Sequence, residues 1–552
     1  MKINNIILVI IIYIYNIMKT TRNNKRGGAN KSTSVATDKS TSAVTSKATD
    51  KSTSAVTSKT TSKTTNKSTS AATSKATDKS TSSTELSSSS VVTSSDGLSS
   101  TSVISSSIDS SSKTSEATNF NDKEDNDLKL QNIYLIPEPK TNILEYNNVH
   151  NYHDEYPYPL LSLGFHHFIH QSKNNMLHVT QEFKGRKKPY NIIHKYSEYI
   201  EEYENDIKNS LKQYLEFKII PDPIDHQFYE IWELLMTFDI VNKSSPCVFL
   251  SNNGSFLQSV MLYKNKFYKN NDNMYICTYK GNKEENIKLL ADKKICNLQE
   301  ISDLSNIEDI DKFIKYYNNS TKSKASLIIG SALNTKTFDK EGKYRNTLEQ
   351  DSYGNILGEI LIALNILETN GNMVLKIYET YTRPTIKIML ILKMLFSQVY
   401  IYKPLISRKH KSYKYLVCIN KLPKDMTNII KIIRDLVDKI DINRKNNKYL
   451  NDIFVDYDIQ DNKTDFIINN TELSNQQFKT MNEIITFING QTFRGEEYYN
   501  RREEQIKNTE LWKQMFLPQN IVEHKVYFST LVQTVSDLNI KKSLSLSKII
   551  DH

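Results

Sequence analysis

Between residues 226 and 422 short apolar runs alternate with amphipathic stretches, and this pattern limits the fold more than any other feature of the chain. HQFYEIWELLMTF (226–238) has its apolar residues at helical spacing, and PCVFLSN (246–252) reads as a strand entering a glycine-containing turn. GSFLQSVMLYK (254–264) restarts a helix, NMYICTY is a strand, and KASLIIGS (324–331) is a strand with a polar end. NILGEILIALNILETNG (355–371) predicts a helix closed by Gly371, a usual C-cap. NMVLKIY (372–378) is a strand and TIKIMLILKMLF (385–396) a helix. SQVYIYKP and YKYLVCIN are two strands joined by a basic loop. Strands and helices alternating at these lengths predict an α/β sheet with helices on both faces. Ligands in such sheets bind at the carboxyl ends of strands, so the polar residues there are the candidates for function.

The N-terminal part cannot contribute to that core. From Lys19 to about Asn119 the chain is mostly Ser, Thr, Lys and Ala, and ATDKSTSAVTSK occurs at 36–47 and again at 48–59. A repeat carrying only Ala and Val to bury cannot offset its ordering entropy, so 19–130 is expected to be a disordered tail. The tail also holds the charge. Residues 1–119 carry 15 basic and 7 acidic side chains out of a net +10, leaving the remainder nearly neutral. Nucleic-acid affinity must therefore come from local patches. Ile6 to Met18 is apolar but short for a membrane span, which takes about 20 residues. It reads as an anchor, a signal core, or a segment ahead of a start at Met18. The four cysteines have no metal-binding spacing, and no metal site is expected.

Segment 131–200 reads as an extension of the core. It contains His166, His167 and His170, read as packed or solvent-facing, and a basic turn with Lys184, Arg186, Lys187 and Lys188. Residues 195–217 predict an amphipathic helix. Beyond Pro423 the sequence predicts a helical region (423–552), packed on the core and with no evident chemistry.

Two stretches of the central domain, 201–422, carry a resemblance. VLKIYETYTRPTIKIMLILKMLFSQVYIYKPLISRKHKSYKYLVC, with Lys376, Lys403, Pro404, Ser407 and Arg408, resembles the last third of FtsJ-like RNA ribose 2′-O-methyltransferases, most closely the mRNA cap-type enzymes, those of large DNA viruses included. CVFLSNNGSFLQSV resembles their methyl-donor loop, whose end is kept as Gly254, Ser255 and Phe256, with Asn253 in place of a proline. The resemblance implies a Rossmann-type S-adenosylmethionine-dependent methyltransferase fold, with S-adenosylmethionine as cofactor and Asn253 to Phe256 beside it. The usual acidic residue falls at about Ser251, so donor binding is expected to be weak or absent.

Members of this family use a Lys-Asp-Lys-Glu set to align and activate the ribose hydroxyl. The resemblance puts Lys376 at the third position, Glu230 at the first, Ser331 at the second and Tyr413 at the fourth. Three readings follow: a non-catalytic subunit of cap processing that binds RNA or a partner enzyme, an active cap ribose 2′-O-methyltransferase acting on capped mRNA, or a membrane-associated structural protein. The corresponding location is the cytoplasm or a virion, with membrane association through residues 6–18 left open. RNA contacts are expected at Lys184, Arg186, Lys187 and Lys188, and at Arg408, Lys409 and Lys411.

Overall fold

The computed structural model describes residues 132–550, apart from 163, 197–205, 220–222, 242–244, 251–253, 269–273, 280–295, 302, 332–337 and 339. These residues belong to one compact unit, Asp109–His552. The expected tail, the apolar run at 6–18, Ser251, Asn253 and the first half of the 195–217 helix lie outside the described residues.

The centre is an eight-stranded sheet in the order β1-β8-β9-β7-β6-β3-β4-β5. Its strands are β1 (Ile133–Leu135), β3 (Cys247–Leu250), β4 (Tyr275–Tyr279), β5 (Cys296–Glu300), β6 (Ala325–Gly330), β7 (Leu367–Ile377), β8 (Phe396–Tyr402) and β9 (Lys414–Lys421). β5, β4, β3, β6 and β7 are parallel, and β3 and β6 are buried along their whole length. That burial is why they read as continuous apolar runs rather than alternating ones. β9 lies antiparallel between β7 and β8, and β1 joins the far edge. The strand order turns about β3 and β6, so the crevice for ligands opens at their carboxyl ends.

Two helical layers cover the sheet. One core packs α5 (Ile307–Ser320), α6 (Tyr353–Ile366), α7 (Arg383–Leu395) and α8 (Thr427–Lys445) on the face carrying Val248, Ile328, Leu375 and Leu416. The other packs α3 (His226–Phe238), α4 (Gly254–Phe267), α10 (Glu496–Phe516) and α11 (Ile521–Ile550) on the face carrying Phe249, Ile329, Val374 and Val417. A smaller cluster joins α1 (Phe165–Thr180) to α9 (Gln460–Asn489). The described part of the 195–217 helix is α2 (Asp206–Tyr214).

The C-terminal region is mostly helical and packs on the core, as expected. Trp512 is fully buried against α3, and the region supplies β10 (Tyr449–Ile453), which pairs with β2 (His150–His153). The helix expected at 355–371 is a correction. α6 stops at Ile366 and the chain enters β7 directly, with Gly371 inside the strand. Asn370 takes the left-handed conformation (φ +64°) beside an irregularity in the β6–β7 register. A Cβ on Gly371 would lie 2.8 Å from the Leu367 side chain, so close packing, not helix capping, calls for glycine here. Among the described residues no helix is long and apolar enough to cross a membrane.

Candidate functional site

Alternation along the strands sorts the candidate residues by face. Val374, Ile329 and Val417 point to the layer containing α3, so Lys376, Ser331, Tyr413 and Tyr415 belong to that same side. The parallel pairing of Gly330 with Leu375 sets Ser331 beside Lys376 at the ends of adjacent strands. Glu230 reaches this group from α3, where it is fully buried. Tyr413 Oη donates to Glu230 Oε1 at 2.8 Å, and Tyr415 Oη donates to Oε2 at 2.6 Å. Lys376 Nζ stands 4.0 Å from Glu230 Oε2, donates to Gln227 Oε1 at 3.4 Å, and lies 3.9 Å from the centre of the Tyr413 ring. Lys403 Nζ approaches that ring as well, at 4.3 Å, while donating to the carbonyls of Lys411 and Tyr413.

Burial would raise the Glu230 carboxyl, but Lys376, His226 and the Tyr415 hydroxyl outweigh it and hold the group below its ordinary range. The Lys376 ammonium also moves down. Its burial outweighs the attraction of Glu230 and Asp225, because Glu230 faces it across 4.0 Å without a hydrogen bond. Burial and the neighbouring carboxylate push the Tyr413 and Tyr415 phenols well above their usual range. The group is thus an ionised carboxylate tied by two phenols, with a lysine packed against one of them.

A carboxylate does sit at the end of β6, but on the other side of the sheet. A Cβ on Gly330 would lie 2.5 Å from Glu359 Cδ, and Glu359 comes from α6, in the layer facing Leu375 rather than Lys376. It does not stand in for an acid at Ser331. The end of the donor-loop motif forms the first turn of α4, with Gly254, Ser255 and Phe256 all buried.

The comparisons with known proteins fit this architecture. The family model for FtsJ-like methyltransferases matches residues 248–421. The chain carries an FtsJ-like methyltransferase domain. An uncharacterized protein of Acanthamoeba polyphaga mimivirus is 25% identical over 368 residues, covering 66% of this chain and 83% of that protein. Cap-specific mRNA (nucleoside-2′-O-)-methyltransferase 2 of Drosophila melanogaster is 28% identical over 82 residues, 15% of this chain and 12% of that enzyme. The cap-specific mRNA (nucleoside-2′-O-)-methyltransferase of Autographa californica nuclear polyhedrosis virus is 32% identical over 92 residues, 17% of this chain and 35% of that enzyme. The match to both named enzymes spans well under half of their length.

The two basic segments come near each other at the β8–β9 loop, where Lys188 acts on Lys411. Lys184, Arg186, Lys187 and Lys188 are exposed, whereas Arg408, Lys409 and Lys411 are half-buried. Lys409 Nζ donates to the Pro404 carbonyl at 3.3 Å. His194 and His410 stack beneath this loop with ring centres 5.0 Å apart, their carbonyls accepting from Gln505 and Gln477. Burial, with Arg408, Lys403 and Lys411 nearby, pushes His194 down to about 3 and His410 well below its ordinary value. Chiefly through burial, Lys409, Lys411 and Lys414 fall to about 8. His166 contacts the Asn346 carbonyl, and no cluster of three potential metal ligands occurs among the described residues.

These shifts have a consequence for stability. A lysine whose folded value lies below its unfolded one binds fewer protons folded than unfolded, so it favours folding at high pH and that support is lost as pH falls through the folded value. The thermal midpoint of the full-length protein should therefore rise from pH 7 to about 8, before the unfolded cysteines, near about 8.5, and the tyrosines titrate strongly. A midpoint that falls steadily over this interval in calorimetry would contradict the placement of these lysines.

Sequence reasoning missed Tyr415, Gln227 and Glu233. Two acids three residues apart in the apolar helix FYEIWELL were a signal, because a carboxylate on a buried helix needs partners.

Proposed function

We propose that this chain is a non-catalytic FtsJ-like subunit that binds RNA and serves mRNA cap processing. The observation that carries the reading is the closure of Lys376. Its side chain is only 9% exposed, packed on the Tyr413 ring beside a Glu230 carboxylate that both phenols bind. A proton acceptor for a ribose hydroxyl must come within about 3.2 Å of it, and a lysine under an aromatic ring has no such approach. With Ser331 in place of an acid, the carboxylate nearest Lys376 is Glu230, which both phenols already engage and which makes no hydrogen bond to the lysine. The RNA and the cap come to this reading from the two cap-specific relatives and from the basic segments.

S-adenosylmethionine would supply a methyl group on a sulfonium. In this chain the residues nearest its expected place are Gly254, Ser255 and Phe256, at the start of α4 beyond β3. Gly254 permits close backbone approach there.

A second reading, an active ribose 2′-O-methyltransferase, draws on the depressed Lys376 ammonium, the direction a general base requires. One experiment separates the two. Full-length protein is incubated with capped RNA and methyl-labelled S-adenosylmethionine, and RNA retention is measured alongside. Retained RNA with no ribose label above background is expected, and Lys376→Ala changes neither. Ribose labelling that disappears in Lys376→Ala overturns the proposal.

A further inference from the structure

A cavity of about 20 Å³ lies between the β8–β9 loop and α9. Lys403, Lys409, Lys411 and Lys414 line it from the loop side, and Asn470, Ser474 and Gln477 from α9. Glu379 is the one carboxylate in its wall, and it is already engaged: Lys173 Nζ, from α1, donates to its Oε1 at 2.7 Å. That pair is buried on both sides, and although burial works against it, Lys173 holds the Glu379 carboxyl down at about 2. Lys403 spends its ammonium on two carbonyls and Lys409 on one. Lys414 is different. It is only 5% exposed, and among the described residues its ammonium has no hydrogen bond; nor has that of Lys411 beside it.

Ammoniums crowded around one cavity repel one another, and partial burial adds to that cost. Four lysines line the cavity with Glu379 as its one carboxylate, while Glu230, Glu233 and Glu349 act on them from outside its wall, so an anion seated among the ammoniums would relieve the repulsion that remains. The cavity has room for one small group, since about 10–15 Å³ holds a water. Beside the free ammoniums of Lys411 and Lys414 stand the hydroxyls of Ser412 and Ser474. This donor set suits a tetrahedral oxyanion with several acceptor oxygens and more than one charge, better than it suits a carboxylate. The surroundings add to the field, because Lys188 of the exposed basic turn and Arg408 both act on Lys411.

We propose that this cavity binds a terminal phosphate group, either inorganic phosphate or the phosphorylated end of an RNA strand that leaves over the Lys184–Lys188 turn. An internal phosphodiester needs two exits and fits an enclosed site less well. The proposal does not depend on whether the FtsJ-like site is catalytic, because the cavity is walled by α9 and the β8–β9 loop rather than by Glu230 and Lys376.

The test is thermal unfolding of the full-length protein with added phosphate, against chloride at matched ionic strength. A rise with phosphate at about 10 mM, absent with chloride, is expected for a site of roughly millimolar affinity or better. Lys414→Met and, separately, Lys411→Gln should each weaken phosphate at least tenfold, since one charge-assisted hydrogen bond is worth about 1.5–3 kcal/mol. Lys414→Met removes a buried charge, so it should fold at least as well without phosphate. Phosphate acting no differently from chloride, or equally on wild type and both variants, overturns the site. Oligoribonucleotides with and without a 5′ phosphate then identify the source. Binding at least tenfold tighter with the 5′ phosphate, lost in Lys414→Met, assigns RNA. Equal binding of the two, with phosphate stabilisation intact, supports the site with free phosphate as its ligand.

Discussion

Replacing Glu233 with leucine is expected to lower the unfolding free energy by on the order of 4 kcal/mol or more, among the largest losses of any single side chain in the domain. Glu233 is fully buried one turn after Glu230, and four donors converge on it. The Leu405 and Ile406 amides donate at 2.5 and 3.1 Å, Trp512 Nε1 donates at 2.8 Å, and the Tyr402 hydroxyl makes the fourth bond. Burial pushes the carboxyl up, against the pull of these donors. Leucine matches the volume but strands two amides, an indole and a phenol in a dry interior, each costing about 1–3 kcal/mol. The same carboxylate joins three parts of the chain: α3, the loop after β8 that begins Lys403-Pro404, and α10 of the C-terminal region. Denaturant unfolding of the full-length protein measures the loss. A change below about 1 kcal/mol would mean that these donors find other partners, and that α10 is an appendage rather than part of the core.

Much of the sheet was legible because buried parallel strands and amphipathic helices have different apolar periods. β3, β6 and β7 with α4 and α6 follow directly from that contrast, whereas β5 and α5, between β4 and β6, were not read from the sequence. The C-terminal boundary of α6 was not legible. Gly371 resembles a C-cap in one dimension, and only the packing of Leu367 against the β6–β7 irregularity shows that the strand has already begun. β1, β2 and β10 were missed because strands of three to five residues carry too little pattern to stand out. For the candidate site, Lys376, Glu230 and Tyr413 came from a resemblance in sequence, and period-two alternation accounts for their sharing one face. Tyr415 was not seen, although it lies two residues from Tyr413 and so on the same face. The half-burial of Lys409 and Lys411 was invisible as well, because it depends on α9 closing over a loop from 50 or more residues earlier in the chain.

Glu230→Leu is expected to cost about 3–5 kcal/mol, because it leaves a buried lysine charge without its counter-ion. Two phenols, Tyr413 and Tyr415, lose their acceptor at the same time. Lys376→Met should cost less, about 1–2 kcal/mol, since Glu230 keeps both phenolic hydrogen bonds and methionine fills much of the space on the Tyr413 ring. The decisive variant is the pair. If the lysine and the carboxylate form a structural unit, Glu230→Leu combined with Lys376→Met removes both charges together and is more stable than Glu230→Leu alone, with an interaction energy of about 2 kcal/mol. Denaturant unfolding of the four proteins closes this cycle. Additive losses would mean that Lys376 is solvated independently of Glu230, and the lysine would then be open to a substrate after all. The result bears directly on function. A lysine kept for reaction with a ribose hydroxyl would be expected to forgo some stability for access, whereas one that regains stability only when its carboxylate partner is also removed is there to complete the packing beneath Tyr413.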